Sequence, residues 1–489
     1  MLRLPMPARR RVAAGRDAIC VAAGLSVLLL SGCASLSADG GLDDVNRLAQ
    51  ERIGQPVHFT KDAVGAQGRD VAGTVISASA NTAISAGANS ATRVQELLSQ
   101  PLTAETAVQL ALLNNGALKA SLADLGAAEA DFVQAGRLHN PSLSFGRVRG
   151  GGEAEIDRSV MFDIAGLLTL PARTRIEQGR FEQAKLQAAA QAVTLADATR
   201  RAYFTAVAAA QSAAFAEQVR GAAEASAQLA ERMAKAGNWS ALDQAREQAF
   251  YQDAQLGLAR TAHAATAARE QLVRLLGLTD AQAITLPERL PDLPAAPRDI
   301  GNAEATALNQ RLDMLAARRD TEATAAALGL TRATGFISVF DAGYANKSTS
   351  GLPRENGYQV TLELPLFDWG SARTARAEAL YMQSVQRTAD AAVRARSQVR
   401  EAYSAYRSSY AIARQYRDQI VPLRKKISDE VLLRYNGMLA SVFELLADSR
   451  EQLASVNAAI DSERDFWIAD TRLQNAVHGA NIDDMRTMP

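Results

Sequence analysis

The residues of this chain that could take part in chemistry are few, and the first are its two cysteines, Cys20 and Cys33. A thiol can form a disulfide, ligate a metal or carry a covalent lipid. Cys20 lies in an apolar run, residues 18–30, which follows a basic segment that contains Arg9, Arg10, Arg11 and Arg16. This order is typical of a secretory signal, so we interpret residues 1–32 as a signal peptide. Its removal leaves Cys33 as the only thiol and excludes a disulfide or a thiolate metal site.

Cys33 closes the sequence Leu30-Ser31-Gly32-Cys33, which resembles the bacterial lipobox. The resemblance implies that Cys33 is acylated, palmitate included, and becomes the first residue of the mature protein. An Asp after the cysteine is the usual retention signal, so Ala34 implies sorting to the outer membrane. The alternative is a plain secretory signal with a chance cysteine. No later segment offers about 18 uninterrupted apolar residues, so acyl chains in outer-membrane lipid would anchor the chain without a transmembrane helix.

Other residues with chemical potential are too scattered to form a site. The histidines lack ligand spacing such as His-x-x-x-His, and we predict that they are surface or packing residues: His58, His139, His263 and His478. Gly150-Gly151-Gly152 lacks a following Gly-Lys-Ser/Thr and is predicted to be a turn, not a phosphate cradle. Lys plus Arg and Asp plus Glu balance at 53 each, which disfavours nucleic-acid binding. We predict no enzyme, no metal and no cofactor.

Two β-hairpins are predicted from stretches that alternate polar and apolar residues, because strands have a two-residue period. The predicted strands are 142–148, 159–164, 336–344 and 358–364. Turns are predicted at 150–152 and within 346–357.

The two clearer strands each have one polar and one apolar face. Asp163 and Glu363 lie on the polar faces. If the strands are in a membrane, these residues line a water-filled lumen and the apolar faces meet lipid. Four strands cannot close a barrel, and an open sheet edge is not tolerated in hydrocarbon, so the chain would have to oligomerise.

Very long helices are predicted after both hairpins. Helical patterns run from about Ala172 to Ala236 and from about Ala372 to Tyr435. At 1.5 Å per residue each would be roughly 95 Å long. The chain is 48% hydrophobic but only 5% aromatic, and it is rich in Ala, which allows close approach of helices. The tyrosines at helical spacing are predicted to pack between helices: Tyr403, Tyr406 and Tyr410.

The N-terminal part of the mature chain is predicted to be peripheral. Residues 33–100 are rich in Gly, Ala, Ser and Asn, which suits a lipid-anchored tether or strap. Folded structure is predicted to start near Thr103, which can cap a helix that runs to about His139. Asn140-Pro141 then stops that helix.

An internal repeat relates the two halves of the chain at an offset of 200 residues. Ala172-Arg173-Thr174 recurs as Ala372-Arg373-Thr374, and Gly237 recurs as Gly437. We predict two copies of a unit with the order helix, hairpin, very long helix, turn and helix. The predicted boundaries are 101–290 for the first copy, 291–300 for a linker, 301–480 for the second copy and 481–489 for a tail.

These features together resemble the TolC-like outer-membrane efflux family over roughly residues 95 to 480. The matching stretches are Ala107-Val108-Gln109-Leu110-Ala111-Leu112-Leu113-Asn114-Asn115, Asn140-Pro141-Ser142-Leu143, and Leu364-Pro365-Leu366-Phe367 with Gly370. The resemblance implies a mainly α fold with a small membrane β-barrel. Three chains would form a helical barrel of long coiled helices, continued by a 12-stranded β-barrel with four strands per chain.

The resemblance also implies partners. It implies a homotrimer that docks to a periplasmic adaptor and an inner-membrane pump, and acts as a passive exit duct from the periplasm. The lipidated N-terminus looks like the branch that serves resistance-nodulation-division pumps. The cargo stays open between drugs, metal ions, organic solvents and polypeptides.

In that family, acidic residues just after the helix-turn glycine narrow the periplasmic end of the tunnel. The helix-turn tips here are Gly237 and Gly437, and Asp243 lies six positions after the first. In the second turn that position is Phe443, and the nearest acid is Glu444. The resemblance implies that Asp243 and Glu444 form a periplasmic gate. The alternative is that both acids only cap a helix, since the helix dipole favours an acid in the first turn.

Two other classes of protein have some of these features. A periplasmic adaptor lipoprotein also has long helical hairpins, but it has one hairpin between lipoyl-like and β-barrel domains, whereas this layout is duplicated. A lipid-anchored structural coiled coil would need no alternating strands.

The predicted strands make Cys33 a second membrane attachment rather than the only one. We therefore expect Cys33→Ser, exported with a cleavable secretory signal, to yield membrane-associated trimers, measured by membrane fractionation and crosslinking. A wholly soluble periplasmic product would contradict the barrel prediction.

Overall fold

Helices make up most of this chain, and one small antiparallel sheet accompanies them. The computed structural model describes residues 36–55, 57, 59, 93–151, 153–280, 284–335, 339–364 and 366–479. The predicted signal peptide, Cys33 and the tail 481–489 lie outside the described residues. The mainly α class with four strands per chain is confirmed.

The order of elements occurs twice along the chain. Helix α1 (Leu42–Ile53) comes first. The first copy is α2 (Ala104–Asn114), α3 (Gly116–Ala135), β1 (Ser142–Gly150), β2 (Glu153–Asp163), α4 (Ile164–Lys235) and α5 (Ala241–Leu276). The second copy is α6 (Ala303–Gln310), α7 (Leu312–Thr334), β3 (Phe340–Thr349), β4 (Glu355–Leu362), α8 (Ser371–Gln415), a π-helical turn (Tyr416–Ile420), α9 (Val421–Asn436) and α10 (Val442–His478). The predicted internal duplication is confirmed.

The chain divides into two compact units. The sheet unit comprises the described parts of 1–38, 128–180 and 325–378. The helical unit comprises the described parts of 39–127, 181–324 and 379–489. Within the described residues, no helix combines the length and the apolar character needed to cross a membrane.

The sheet has the order β1-β2-β3-β4, with every neighbouring pair antiparallel. Both predicted hairpins are present, and both are longer than predicted, since β2 begins at Glu153, β3 continues to Thr349 and β4 begins at Glu355. Most of the extra residues are polar, so these segments lack the alternation of a half-buried strand. Interstrand contacts hold them instead: Asn346 Nδ2 donates to Asn356 Oδ1 at 2.7 Å, and Lys347 pairs with Glu155 at 2.5 Å.

The first predicted helix is capped as expected but is broken in the middle. The Thr103 hydroxyl accepts a hydrogen bond from the Thr106 backbone N–H at 3.1 Å, and Thr106 returns the bond, which forms a capping box. The helix breaks at Asn115, whose side chain accepts from the Leu118 N–H at 3.1 Å and starts α3. Its Nδ2 donates to the Leu275 carbonyl at 2.9 Å. This tertiary contact is the reason the predicted single helix becomes two.

A helix also forms before Thr103, so the prediction that folded structure starts there is wrong. The buried side of α1 joins an apolar cluster with residues of α2, α3, α4 and α7, and consists of Leu42, Val45, Ala49 and Ile53. Lys185 Nζ donates to Asp44 at 2.8 Å. Burial lowers the pKa of Lys185, but hydrogen bonds with Asp44 and Glu182 outweigh it, and the net shift is upward. The apolar stripe is only 12 residues long, so Gly-rich and Ser-rich surroundings obscure it.

The predicted linker 291–300 is held against the helices by aromatic side chains. Tyr410 donates to the Ala295 carbonyl at 2.9 Å, and Trp467 Nε1 donates to the Pro291 carbonyl at 3.0 Å. The Tyr406 hydroxyl accepts from the Arg298 N–H at 2.9 Å. Tyr406 and Tyr410 are buried in one cluster with Phe466, which confirms that they pack between elements.

The long helices follow the predicted runs with two differences. Helix α4 begins at Ile164 rather than Ala172, because Asp163 Oδ1 accepts a hydrogen bond from the Gly166 N–H at 2.5 Å and caps its first turn. The second run is not uniformly α-helical. A π-helical turn separates α8 from α9 just before Pro422, which has no N–H to donate.

The π-helical turn shifts the repeat by one residue, because its i→i+5 bonds take up one more residue than α-helical bonds. At the end of α4, Gly237 is left-handed with φ 77°, and the Asn238 N–H donates to the Met233 carbonyl. At the end of α9 the left-handed residue is Met438, with φ 59°. Gly437 has φ −84°. Met438 is therefore the structural counterpart of Gly237, and the sequence match of Gly237 with Gly437 is one residue out of register.

Met438 occupies a backbone conformation that favours glycine. We expect Met438→Gly to stabilise the turn by roughly 1 kcal/mol, because a Cβ in the left-handed region costs about that much. Amide hydrogen exchange at Leu439, whose N–H closes the turn onto Arg434, should slow by roughly fivefold. Gly437→Ala is the control and should not accelerate exchange. A slower Leu439 amide in Gly437→Ala but not in Met438→Gly would contradict the assignment.

Candidate functional site

The sheet has one apolar face, on which the strands place their large apolar side chains in register. One cross-strand row consists of Leu143, Val160, Tyr344 and Tyr358. Neighbouring rows on the same face hold Phe162, Ala342 and Val360, then Phe340 and Leu362. None of the described residues covers the outer strands on this face, since Tyr358 is 89% exposed and Leu143 is 76% exposed.

Exposed apolar residues continue beyond the strands within the sheet unit. After β4 the large apolar side chains are Leu364, Leu366, Phe367 and Trp369, and Phe367 is 99% exposed. In the first turns of α4, Leu167 and Leu168 are exposed as well. Side chains of this kind gain about 1.5–3 kcal/mol each on leaving water, so the surface needs an apolar partner.

The opposite, polar face carries hydroxyl and charged groups. The Ser144 and Ser159 hydroxyls form a hydrogen bond at 2.7 Å across β1 and β2. Asp163 pairs with Asp341 in the register, and Glu363 directly follows the last residue of β4. The two-faced character of the strands agrees with the alternation in the sequence. That Asp163 and Glu363 line a lumen stays a prediction.

Asp163 also organises the junction between β2 and α4. One carboxylate oxygen caps α4, and the other lies 2.6 Å from His139 Nδ1. Arg173 Nη1 lies 3.0 Å from His139 Nε2, and Arg173 Nη2 donates to the Gly166 carbonyl at 3.2 Å. His139 is thus part of a hydrogen-bond network. Among the described residues, no three His, Cys, Asp or Glu side chains are grouped to hold a metal ion.

Asp243 and Glu444 occupy equivalent positions at the starts of α5 and α10. The Ser240 hydroxyl accepts from the Asp243 N–H at 3.1 Å, and the Ser441 hydroxyl accepts from the Glu444 N–H at 3.2 Å. Both acids are therefore three residues after a serine N-cap, and they are 201 positions apart. The one-residue insertion at the π-helical turn explains why Phe443 stands where an acid is expected from the offset of 200.

The two acids differ in their own contacts. The Asp243 carboxylate accepts from the Ser240 hydroxyl at 2.6 Å and pairs with Arg246 at 3.3 Å. The Glu444 side chain is exposed. Both positions suit the helix dipole. The observed role of Asp243 is thus to support the Ser240 cap by accepting from its hydroxyl, whereas its role as a gate stays a prediction.

One turn of helix farther on, a buried ion pair joins α5 to α10. Glu247 Oε1 accepts from Arg450 Nη2 at 2.8 Å, and Glu247 Oε2 accepts from the Ser226 hydroxyl of α4 at 2.7 Å. The Glu247 side chain is only 4% exposed. The Arg450 guanidinium lies 4.1 Å from the Phe250 ring centroid, which adds a cation–π contact. The sequence does not predict this ion pair because Glu247 and Arg450 are 203 residues apart.

Asp448 is the counterpart of Glu247 in the second copy, since Glu247 lies four residues after Asp243 and Asp448 four residues after Glu444. Its Oδ2 is buried and accepts no hydrogen bond within the described chain. Within the described residues, both Glu247 oxygens accept hydrogen bonds, whereas the Asp448 Oδ2 does not.

Solved structures share this fold. A membrane protein from Pseudomonas aeruginosa matches with a TM-score of 0.66 at 22% identity, over 76% of this chain and 93% of that one. The outer membrane protein VceC from Vibrio cholerae matches with a TM-score of 0.64 at 16% identity, over 77% and 96%. The open state of the MtrE outer membrane channel from Neisseria gonorrhoeae matches with a TM-score of 0.64 at 17% identity, over 79% and 89%.

The chain therefore has the fold of the TolC-like outer-membrane channels. By sequence, it matches no family model and no curated protein.

The Glu247–Arg450 pair gives a test of what holds α5 to α10. Arg450→Met should destabilise the protein by roughly 2 kcal/mol, because it leaves a buried carboxylate without its countercharge. This expected loss of stability is smaller than for a fully buried ion pair because the Arg450 side chain is 37% exposed. Glu247→Gln combined with Arg450→Met should recover part of the loss, measured by denaturation in detergent.

Arg246→Met is the matched control, because Arg246 pairs with Asp243 at the surface and is 63% exposed. We expect it to change stability by less than about 0.5 kcal/mol. Equal effects of Arg450→Met and Arg246→Met would show that the buried link contributes nothing.

Proposed function

We propose that this protein is the outer-membrane channel of a tripartite efflux system. It is a passive exit duct for substrates delivered by a periplasmic adaptor and an inner-membrane pump of the resistance-nodulation-division type. The chain carries out no catalysis. The observation that supports the proposal most directly is the exposed apolar face of an open four-stranded sheet in a chain with this fold.

The apolar face accounts for the location in the outer membrane. A contiguous exposed apolar surface is rare on a soluble monomer and marks a membrane or protein contact. The polar face of the same strands carries Asp163 and Asp341, so the two faces suit lipid on one side and water on the other. In the proposed channel, Asp163 and Glu363 line the water-filled lumen.

The edges of the sheet account for the oligomer. The described strands pair only in the order β1-β2-β3-β4, so the outer edges of β1 and β4 have no partner strand among them. An unsatisfied backbone group costs several kcal/mol in hydrocarbon. Three chains joined edge to edge give a closed barrel of 12 strands, and the proposed assembly is this homotrimer.

The helical unit forms the proposed periplasmic tunnel and docks to the adaptor. Its helices pack through small residues, including the buried Ala188, Ala189 and Ala192, so that long helices approach closely. Acylated Cys33 anchors the mature chain to outer-membrane lipid. Helix α1 packs within the helical unit, where Asp44 pairs with Lys185.

The proposed gate consists of Asp243 and Glu444 from each of the three chains. Their equivalent positions, each three residues after a serine N-cap, support a common role. Carboxylates gathered around a narrow pore attract cations and disfavour anions. The Glu247–Arg450 pair lies one helical turn away and stiffens the helices that carry the gate.

Conductance of the full-length protein in planar bilayers tests the proposal. Wild type should give trimeric channels of low conductance with a preference for cations. Asp243→Asn combined with Glu444→Gln should raise the leak conductance and weaken the cation preference, because the constriction loses the charges that hold cations. Asp124→Asn with Glu322→Gln is the matched control, since it removes two exposed acids of the helical unit far from these turns in sequence.

Different outcomes contradict different parts of the proposal. A wild type that forms no conducting trimers contradicts the channel function. A conducting wild type whose conductance and selectivity are unchanged in the double variant contradicts the gate alone.

A further inference from the structure

Three arginines lie on the apolar face of the sheet, near its β1–β2 turn. Arg147 and Arg149 follow Leu143 and Phe145 at the two-residue period of β1, so all four share one face. Arg158 of β2 pairs directly with Phe145 and lies on that face too. All three arginines are exposed.

The residues of this face change in order along the strands. The rows nearest the helices are apolar, and the next row ends in Tyr344 and Tyr358, which pair directly. One row farther on is Arg158, then Arg147, then Arg149. Tyrosines are enriched where hydrocarbon meets headgroups, and basic side chains lie beyond them. The order apolar, tyrosine, arginine is therefore that of a membrane interface.

The carboxylates at this end of the sheet lie on the other face. By the register, Glu153, Glu155 and Asp157 alternate with the apolar-face residues of β2, and Lys347 pairs with Glu155 there. Among the described strand residues, the apolar face carries no carboxylate. Within the part of the chain that the structure describes, Arg147 and Arg149 form no ion pair, and the one polar side-chain contact of Arg158 is to Asn346, at 3.5 Å. The described residues therefore offer no carboxylate to these guanidinium groups, which leaves them available to an external anion.

We propose that Arg147, Arg149 and Arg158 bind the phosphate groups of a membrane lipid headgroup. This inference rests on the proposed function, because it requires the apolar face to meet lipid. Guanidinium groups bind phosphate oxygens in bidentate fashion. Residues two apart on a strand and diagonal cross-strand neighbours are both about 7 Å apart, so three long side chains can reach one headgroup. The apolar rows beside them are where the acyl chains lie.

Binding of lipid A, which carries two phosphates, tests the proposal on full-length trimers in detergent. The variant is R147Q/R149Q/R158Q, and the matched control is E153Q/E155Q/D157N on the polar face. We expect the arginine variant to bind lipid A roughly a hundredfold more weakly than wild type, or about fivefold per arginine. The control should bind like wild type. Dephosphorylated lipid A should bind wild type as weakly as lipid A binds the arginine variant.

Each other result overturns the inference. Unchanged affinity in the arginine variant shows that these residues do not bind the headgroup. Equal binding of dephosphorylated lipid A excludes the phosphates as the ligand. Inorganic phosphate that binds wild type as tightly as lipid A points to a free anion rather than a lipid.

Two further measurements keep the outcome interpretable. If the triple variant does not assemble, R149Q alone is measured, and a loss of about fivefold is expected. Conductance in bilayers without lipid A is recorded for every protein. If the wild type conducts but binds lipid A no more tightly than dephosphorylated lipid A, only this inference is contradicted. If the wild type does not conduct, the proposed function is contradicted.

Discussion

The backbone groups at the two outer edges of the sheet impose the main physical constraint on this protein. A strand edge in water is hydrated, but in hydrocarbon each unpaired N–H and C=O costs several kcal/mol. Four strands have two such edges and a face of exposed leucine, tyrosine and phenylalanine side chains. For the proposed channel, the sheet unit is thus complete only when other copies pair with β1 and β4. The proposed trimer and the proposed membrane location would satisfy this one requirement together.

The helical unit is organised by small residues and by a few long-range polar contacts. Its apolar clusters are rich in alanine, whose small side chains do not fix how the helices pack against one another, so polar contacts must fix their positions. Asn115 positions the break between α2 and α3 through the Leu275 carbonyl, and aromatic hydroxyl and indole groups hold the linker between the two copies. The Glu247–Arg450 pair joins the two copies beside the proposed gate. Each contact connects elements that helix propensity alone would leave free to slide.

One inserted residue distinguishes the two copies at their functional end. The π-helical turn at Tyr416–Ile420 adds one residue to the second copy of the repeat at this point relative to the first. The residues after this turn are offset by 201 rather than 200 from their counterparts in the first copy. Met438 therefore takes the left-handed conformation of Gly237, and Glu444 is equivalent to Asp243. Asp448 likewise corresponds to Glu247, but its buried Oδ2 accepts no hydrogen bond from the described residues. The insertion thus preserves the capped acid at both turns while the ion pair forms in one.

The sequence by itself determined what depends on local pattern. Thr103 as a cap, the two-residue period of the hairpins, the long helices and the duplication all follow from residues close together or from comparison of the halves. Only the tertiary structure decided where α1 packs, why Asn115 breaks a helix, where the repeat changes register and which carboxylate Arg450 meets. These features depend on groups far apart in the sequence, such as Lys185 with Asp44 and Arg450 with Glu247, or on a local bond pattern without a sequence signature, so periodicity contains no information about them.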